Sequence, residues 1–311
     1  MFRSYVLPDG TLDEQRVLRR EQVYQGMNGR FVERFFITPD QSFIFKPLTN
    51  ESQNGKELWI HTHILKKLPS FYPKVLDSDQ HWLIFEDLGE IDHHFSSKSV
   101  LSVTKQMANW HKTTSNQFDH FHQIGSPKPF IEEVVELLEA RKEEVKCLAS
   151  KIGIPQSTID FLFNQLDKTS FGNKNVFSHG DLHLGNYGYA KGKLYIIDWE
   201  HAHFNSPYWD LYHLLDISHP TFPKSINKSL RTTALELYMD EAEYDSFTFT
   251  RISFKQGYYL FSSAFSLWML LLIKADLDRK VEQWSSAQLR QQLEETVQSF
   301  KQCMEELQGS I

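Results

Sequence analysis

The pattern of apolar and polar positions changes about one third of the way along the chain. Before residue 90, short aromatic and β-branched segments alternate with turns, and residues 55–68 carry apolar side chains at helical spacing. Beyond residue 97, long segments with helical spacing predominate. The pattern therefore predicts a small β-rich part followed by a larger, mostly helical part. The predicted strands are residues 22–24, 31–37, 43–48, 74–77, 82–85, 176–178 and 193–197, and the later helices include residues 100–114, 131–150, 156–166, 209–215, 254–274 and 287–307.

The composition is that of an ordinary globular chain. It has 311 residues, of which 41% are hydrophobic and 23% charged, and this length allows about two domains. A formal net charge of −7 without a dense basic tract argues against a nucleic-acid partner. The apolar stretch at residues 258–273 is short and interrupted by serines, so we expect a buried helix and no membrane partner. The missing secretion signal and the two cysteines, Cys147 and Cys303, lead us to expect a cytoplasmic protein with reduced thiols.

The segment around Asp181 carries the strongest chemical signal. It contains the pattern H-x-D-x4-N, with His179, Asp181 and Asn186, and an apolar strand leads to Asp198 twelve residues after the asparagine. Phosphoryl transfer needs a carboxylate beside the attacking hydroxyl and oxygen ligands for the magnesium ion on the phosphates. A loop of this length can turn Asp181 and Asn186 into one site, and the strand would deliver Asp198 to the same place. The pattern therefore predicts a site for phosphoryl transfer.

Other interpretations of these residues stay open. His179, Asp181 and His183 could form a hydrolytic zinc site, although such sites need more ligands at defined spacing. Either aspartate alone would more often be a turn or cap residue. Together with Asn186 at these spacings, they favour phosphoryl transfer. For His183, packing of the loop and contact with the substrate fit the sequence about equally well.

At these residues the chain resembles the aminoglycoside phosphotransferase and choline kinase superfamily. The loop of that superfamily reads H-G-D-x4-N, matched here by residues 179–181 and Asn186, and its later D-W-E or D-F-E is matched by residues 198–200. The resemblance implies an α+β, protein-kinase-like bilobal fold with a small β-rich N-lobe and a larger, mostly helical C-lobe. It assigns nucleotide binding to residues 1–86, and the catalytic loop and substrate binding to residues 87–311.

The resemblance also implies a role for each matched residue. Asp181 would orient or deprotonate the acceptor hydroxyl, and Asn186 and Asp198 would hold Mg²⁺. His179 would support the catalytic loop, and so would Asp210, which matches a later aspartate of the superfamily pattern. The implied reaction transfers the γ-phosphate of ATP to a hydroxyl group of a small molecule.

Weaker features in the first third of the chain fit a nucleotide site. Lys46 lies in an apolar strand, where a kinase needs a lysine for the α- and β-phosphates, and Glu57, eleven residues later, could pair with it. Gly26 and Gly29 would let a hairpin approach the phosphates, although they form G-x-x-G and not G-x-G-x-x-G. Each feature also has an ordinary structural explanation: an edge-strand lysine, an acid at a helix start and a hairpin turn.

The segment at residues 83–89 resembles the interlobe hinge of the superfamily, whose main chain near Glu86 and Leu88 would bind adenine. We therefore expect an ATP- and Mg²⁺-dependent phosphotransferase whose acceptor is an aminoglycoside, a choline-like compound or another metabolite alcohol. The alternative is a kinase-fold binding or coat-type protein without catalysis. The intact Asp181, Asn186 and Asp198 argue against it, because a non-catalytic protein can lose them without penalty.

Overall fold

The structure is a computed structural model in which contacts group the chain into two compact units. The first unit comprises Met1–His93 and Tyr187–Ala202, and the second comprises His94–Asn186 and His203–Ile311. The first unit thus includes a segment from the later part of the chain, whereas the proposed lobes meet at residue 86. The functional assignment of these lobes stays a prediction. The structure describes residues 2–25, 29–48, 55–115, 128–169, 171, 175–242, 251–279 and 283–309.

An antiparallel sheet of five strands lies in the described part of the first unit. Alternate side chains of a strand point to opposite faces of the sheet. In the third strand, Phe43 and Phe45 are therefore buried in the core, whereas Ile44 and Lys46 lie on the other face. The strands are β1 (Arg19–Gln25), β2 (Phe31–Thr38), β3 (Gln41–Pro47), β4 (Val75–Ser78) and β5 (Trp82–Glu86), in the spatial order β1-β2-β3-β5-β4.

The helix predicted at residues 55–68 is present as a segment of changing helical type. It begins as α1 (Lys56–Trp59), continues as a π-helical turn at Ile60–Ile64 and ends as a 3₁₀ turn at Leu65–Lys67. Its first turn buries Glu57, which is 3% exposed. The start of this helix therefore points an acidic side chain into the unit.

A second hairpin belongs to the first unit and consists of β7 (Tyr187–Ala190) and β8 (Lys193–Ile196). Its two turn residues, Lys191 and Gly192, both have positive φ values, of 51° and 77°. This geometry matches the twist of the flanking strands. The pattern of alternation predicts β8 but misses β7, because β7 is only four residues long and one of them is a glycine.

The second unit is mostly helical, and β6 (Val176–Ser178) pairs antiparallel with β9 (His203–Asn205). The helix predicted at residues 131–150 is in fact two helices, because the backbone at Arg141 leaves helical geometry with φ −110° and ψ 23°. The α+β fold class is confirmed. The helices are α2 (Ser97–Ser115), α3 (Ile131–Ala140), α4 (Lys142–Lys151), α5 (Gln156–Lys168), α6 (Pro207–Leu215), α7 (Lys228–Glu241), α8 (Arg251–Arg279) and α9 (Ser286–Gly309).

The helix α8 is long and apolar enough to cross a membrane, and it is the one such helix among the described residues. In the structure 61% of its apolar window is buried inside the protein. It packs along α9 and also contacts α3 and α5. A core helix of a globular protein meets the same criteria of length and hydropathy, and this burial agrees with the buried helix that the sequence predicts.

Candidate active site

A group of charged side chains surrounds Lys46 in the first unit. Its ammonium Nζ lies 2.9 Å from a carboxylate oxygen of Glu57, 2.5 Å from Asp198 and 3.2 Å from Glu200. Strand β3 supplies the lysine, the first turn of α1 supplies Glu57, and the segment after β8 supplies the other two acids. We call these four residues the lysine cluster.

Three carboxylates therefore face one ammonium in the lysine cluster. Burial alone would lower the pKa of Lys46, but the three carboxylates raise it well above its usual value, so the ammonium stays charged. Burial and the two neighbouring acids raise the pKa of Glu57 from 4.5 to about 7, against the opposing charge of Lys46. The cluster consequently has more negative than positive charge available, and it can accept a further cation.

In the D-W-E segment, residues 198–200, the buried tryptophan places the two acids on either side of it. Trp199 is fully buried, and its indole N–H donates to the carbonyl of Ile196 at 3.2 Å. Asp198 and Glu200 flank this anchor, and both reach Lys46. Asp198 has a φ of 64°, a conformation that aspartate tolerates better than most residues and that occurs at functional sites.

The acids of the lysine cluster fit a magnesium ion by their chemistry. One carboxylate oxygen from each of Glu57, Asp198 and Glu200 lies within 4.8 Å of the others. Such hard oxygen donors are the ligands that Mg²⁺ prefers. The neighbouring Lys56 adds a second cation, whose Nζ is buried and has no hydrogen-bond partner among the described residues. Burial lowers its pKa to about 8, although Glu200 opposes the shift.

The segment after β5 is held by a carboxylate that the sequence reasoning missed. Asp87 accepts hydrogen bonds from Arg34 at 2.6 and 3.2 Å, from the hydroxyl of Ser42 at 2.6 Å and from the backbone N–H of Gly89 at 2.8 Å. Burial raises the pKa of Asp87, but these hydrogen bonds outweigh it and leave the pKa lowered. Asp87 therefore fixes the backbone between the two predicted adenine-binding positions.

The other residues predicted to contact the nucleotide are placed as follows. The backbone N–H of Glu86 donates to the carbonyl of Lys74 at 3.0 Å, so this N–H already has a partner in the same unit. Leu88 is 9% exposed. Gly29 has a φ of 79°, which favours glycine. Gly26 lies outside the described residues.

The catalytic-loop candidate in the second unit is held by the carboxylate of Asp210. This carboxylate accepts the backbone N–H of His179 at 2.7 Å on one oxygen and that of Gly180 at 3.1 Å on the other. The adjacent Trp209 donates its indole N–H to the carbonyl of Gly180 at 3.0 Å. The loop is therefore held by the first turn of α6. Within the loop, Gly180 has a φ of 87°, which favours glycine.

A buried histidine completes this arrangement. His111 Nε2 lies 3.1 Å from the carboxylate of Asp210, and Nδ1 lies 2.8 Å from the hydroxyl of Tyr238. Burial lowers the pKa of His111, so the ring is neutral and donates from Nε2. Burial also raises the pKa of Asp210, but hydrogen bonds from His111 and His179 outweigh it and keep the carboxylate ionised. We call Asp210 with His179, Gly180 and His111 the Asp210 anchor.

Asp181 and Asn186 meet on this loop. The side-chain amide of Asn186 donates to the carbonyl of Asp181 at 2.7 Å, and it lies 3.4 Å from the carboxylate oxygen Oδ2 of the same residue. Asn186 is 7% exposed, whereas the side chain of Asp181 is 27% exposed. The loop therefore presents a carboxylate to solvent from a buried frame.

The family model described as "Phosphotransferase enzyme family" matches residues 75–244, which is more than half of the chain. The chain belongs to this family. Protein LicA homolog from Mycoplasma capricolum subsp. capricolum is 23% identical over 188 residues, covering 60% of this chain and 68% of that protein. This membership confirms the predicted superfamily and the predicted phosphotransferase class.

Solved structures agree on the fold. A choline kinase from Cryptosporidium parvum Iowa II is 14% identical, with a TM-score of 0.62 and coverage of 100% of this chain and 96% of that chain. An aminoglycoside phosphotransferase from Alicyclobacillus acidocaldarius subsp. acidocaldarius is 12% identical, with a TM-score of 0.64 and coverage of 96% and 92%. These likenesses confirm the predicted kinase-like fold class.

Within each unit of this phosphotransferase, the structure brings predicted site residues together. Lys46, Glu57 and Asp198 are in contact in the first unit. The second unit gathers His179, Asp181, Asn186 and Asp210 on or under one loop. Sequence reasoning did not assign a role to Glu200, although its place two residues after Asp198 is a usable signal.

Proposed function

We propose that the protein transfers the γ-phosphate of ATP to a hydroxyl group of a small molecule, with Mg²⁺ as cofactor. The observation that carries the proposal is the loop carboxylate of Asp181, which reaches solvent from a frame built by Asn186 and the Asp210 anchor. A carboxylate in this setting can accept the proton of an attacking hydroxyl while its backbone stays fixed. Family membership as a phosphotransferase supports this role.

Lys46 would contact the phosphates of the nucleotide. It is charged, and it is shared among three acids that compete for it. A triphosphate offers the ammonium a stronger anionic partner, and Glu57 can keep its own contact while the lysine turns to the phosphates. This exchange would place a positive charge where negative charge develops during the transfer.

Asp198 and Asn186 would supply oxygen ligands for magnesium, and the donor chemistry of the lysine cluster fits that ion. Magnesium held by these residues would offset the negative charge that develops on the phosphates. If Lys46 turned from Asp198 to the phosphates, the Asp198 carboxylate would become available to the metal. Binding of the nucleotide and binding of the metal would therefore be coupled through Lys46.

Several finer assignments belong to the same proposal. The main chain near Glu86 and Leu88 would bind adenine, and the backbone at Gly26 and Gly29 would approach the phosphates. Residues 1–86 would then carry nucleotide binding, and residues 87–311 the catalytic loop and the acceptor site. The use of ATP and the two free cysteines support a cytoplasmic location.

For the acceptor, we propose an alcohol that also carries an amine or ammonium group. Two findings support this class: the similarity to an enzyme named choline kinase and to one named aminoglycoside phosphotransferase, and the net charge of −7, which favours cationic partners. Amino alcohols and aminoglycosides share this chemistry. Other metabolite alcohols serve as the comparison set.

The experiment measures product formation by the full chain with Mg²⁺, with ATP or GTP as donor and with amino alcohols, aminoglycosides and sugars as acceptors. We expect acceptor-dependent phosphorylation by the wild type, and a loss of about 100-fold or more in Asp181→Asn with nucleotide binding retained. The exposed Asp160→Asn is the matched control and should keep full turnover. Near-wild-type turnover by Asp181→Asn would contradict the assignment. Binding of ATP without product from any acceptor would favour a binding protein instead.

A further inference from the structure

His183 lies on the catalytic loop between Asp181 and Asn186, and both of its ring nitrogens face defined groups. Its Nδ1 accepts the backbone N–H of Gly185 at 3.0 Å. Its Nε2 lies 3.6 Å from Oδ2 of Asp181. The ring therefore sits between the backbone of the loop and the carboxylate proposed to receive the hydroxyl proton.

The contact with Gly185 decides which nitrogen of His183 carries the proton. A ring nitrogen that accepts an N–H bears no proton of its own, so the single proton of the neutral imidazole lies on Nε2. That N–H faces Oδ2 of Asp181. A separation of 3.6 Å is too long for a hydrogen bond, but catalytic contacts often shorten when the substrate binds.

The position of the His183 ring is fixed by its neighbours. It stacks on the ring of His219, with centroids 4.3 Å apart and planes at 8°, and the ring of Phe222 lies 5.8 Å away. At Gly185 a Cβ atom would lie 2.8 Å from Cε1 of His183 and 2.5 Å from Phe222. A glycine at this position therefore allows the ring to lie directly against the loop backbone.

A second donor approaches the same oxygen of Asp181. The side-chain amide of Asn186 lies 3.4 Å from Oδ2. Two N–H groups thus converge on Oδ2. Two donors on one oxygen can set how the carboxylate plane of Asp181 is turned.

We propose that His183 is a positioning residue for Asp181. When the acceptor binds, the Nε2–H of His183 closes on Oδ2 and fixes the orientation of the Asp181 carboxylate toward the acceptor hydroxyl. The inference rests on the proposed function, because it takes Asp181 as the group that receives the hydroxyl proton. It extends that function by giving the second histidine of H-G-D-L-H a task beyond packing.

Packing and positioning make different demands on the side chain. A packing role needs a flat ring against His219, which phenylalanine supplies. A positioning role needs an N–H at the place of Nε2, which the terminal amide of glutamine supplies without a ring. His183→Phe and His183→Gln therefore separate the two roles. His219→Phe is the matched control, because it changes the stacked ring and keeps both polar contacts of His183.

The experiment measures kcat and the two KM values for these variants, with thermal unfolding to confirm that each is folded. We expect His183→Phe to lower kcat by about 10- to 100-fold with the KM for ATP within about twofold, because a small misplacement of a catalytic group has this effect. His183→Gln should recover kcat to within about fivefold of the wild type, and His219→Phe should stay close to it. An unchanged kcat in His183→Phe, or equal losses in both His183 variants, overturns the proposal.

A second measurement needs no acceptor. In ¹⁵N-labelled protein, the ring-nitrogen shifts of His183, assigned with His183→Gln, should show the Nε2–H tautomer, and Asp181→Asn should move the shift of that nitrogen. An Nδ1–H tautomer overturns the proposal whatever the kinetics. If the wild type shows no turnover with any acceptor, the proposed function fails and the kinetic role of His183 fails with it. Turnover by the wild type with no effect of His183→Phe rejects the positioning role alone.

Discussion

The lysine cluster and the Asp210 anchor both hold buried carboxylates, but they satisfy them with different partners. In the Asp210 anchor the carboxylate binds two backbone N–H groups and a neutral histidine, and Asp210 is 0% exposed. In the lysine cluster the carboxylates share one ammonium, and two of them, Asp198 and Glu200, are 33% and 27% exposed. The partners of Asp210 are backbone N–H groups and a buried side chain, which stay in place in the folded protein. The partner of the carboxylates in the lysine cluster is the ammonium of Lys46, which an anionic ligand could also bind.

This difference separates a carboxylate that holds the backbone of the fold, Asp210, from the carboxylates of the lysine cluster, whose partner can change. A backbone N–H has no alternative partner once it is buried, so the carboxylate that binds it must stay in place. A charged side chain can exchange one partner for another of the same sign when a charged ligand binds. We therefore expect changes in the Asp210 anchor to affect the free energy of unfolding, and changes in the lysine cluster to affect turnover more than folding.

The largest effect is expected for Asp210→Ala. The change leaves the buried N–H groups of His179 and Gly180 without their acceptor, at a cost of about 3 kcal/mol or more in the free energy of unfolding. Turnover should be lost at the same time, because the loop that carries Asp181 is no longer held. Urea denaturation monitored by fluorescence measures the first effect. The exposed Asp160→Ala should stay within about 0.5 kcal/mol of the wild type, and an equally small change for Asp210→Ala would remove the distinction between the two regions.

The contacts that define these regions differ in how far they could be anticipated from the sequence. Spacing alone groups Asp181 with Asn186, because a loop of this length brings its two ends together. The approach of His111 to Asp210 joins residues 99 positions apart, and no local pattern encodes such a pairing. The break between α3 and α4 at Arg141 was missed for a related reason, since the helical spacing of apolar residues continues across it.

Within the first unit, local sequence patterns predict the strands and the helix, but they predict only part of the lysine cluster. Only the likeness to kinases predicts the pairing of Lys46 with Glu57, which lie 2.9 Å apart. The place of Glu200 in the same cluster depends on how the buried Trp199 turns the chain after β8, which is a tertiary effect. The role of Asp87 was missed because its partner Arg34 lies 53 positions away.

A smaller effect on folding, with a large effect on activity, is expected for Lys46→Met. We expect kcat/KM for ATP to fall by about 100-fold, because in the proposed function Lys46 is the cation that offsets charge on the phosphates. The free energy of unfolding should change by about 1 kcal/mol, since Glu57 can take up a proton and the other two acids reach solvent. Lys74→Met, at an exposed lysine of the same unit, is the matched control for loss of charge. A loss of stability as large as that of Asp210→Ala would show that the lysine cluster also builds the fold.

The smallest effect concerns a second buried lysine, which contrasts with Lys46 in the sign of its pKa shift. Lys224 in the second unit donates to the carbonyls of His213 and Leu214, at 2.7 and 2.6 Å, near the end of α6. Burial lowers its pKa from 10.5 to about 7, and the acids Asp216 and Glu295 do not fully offset that shift. Between these two pH values the unfolded chain binds more protons than the folded protein, so the free energy of unfolding should rise as the pH increases through this window.

Lys224→Met removes this contribution, and its free energy of unfolding should therefore depend less on pH than that of the wild type between about pH 7 and 10. Urea denaturation at several pH values in this window measures the difference in slope. Lys74→Met, which changes an exposed lysine, should keep the slope of the wild type. Parallel curves for wild type and Lys224→Met would mean that the ammonium of Lys224 stays charged throughout. In that case the carbonyls of His213 and Leu214, together with the charges of Asp216 and Glu295, hold a buried ammonium as firmly as the three acids hold Lys46.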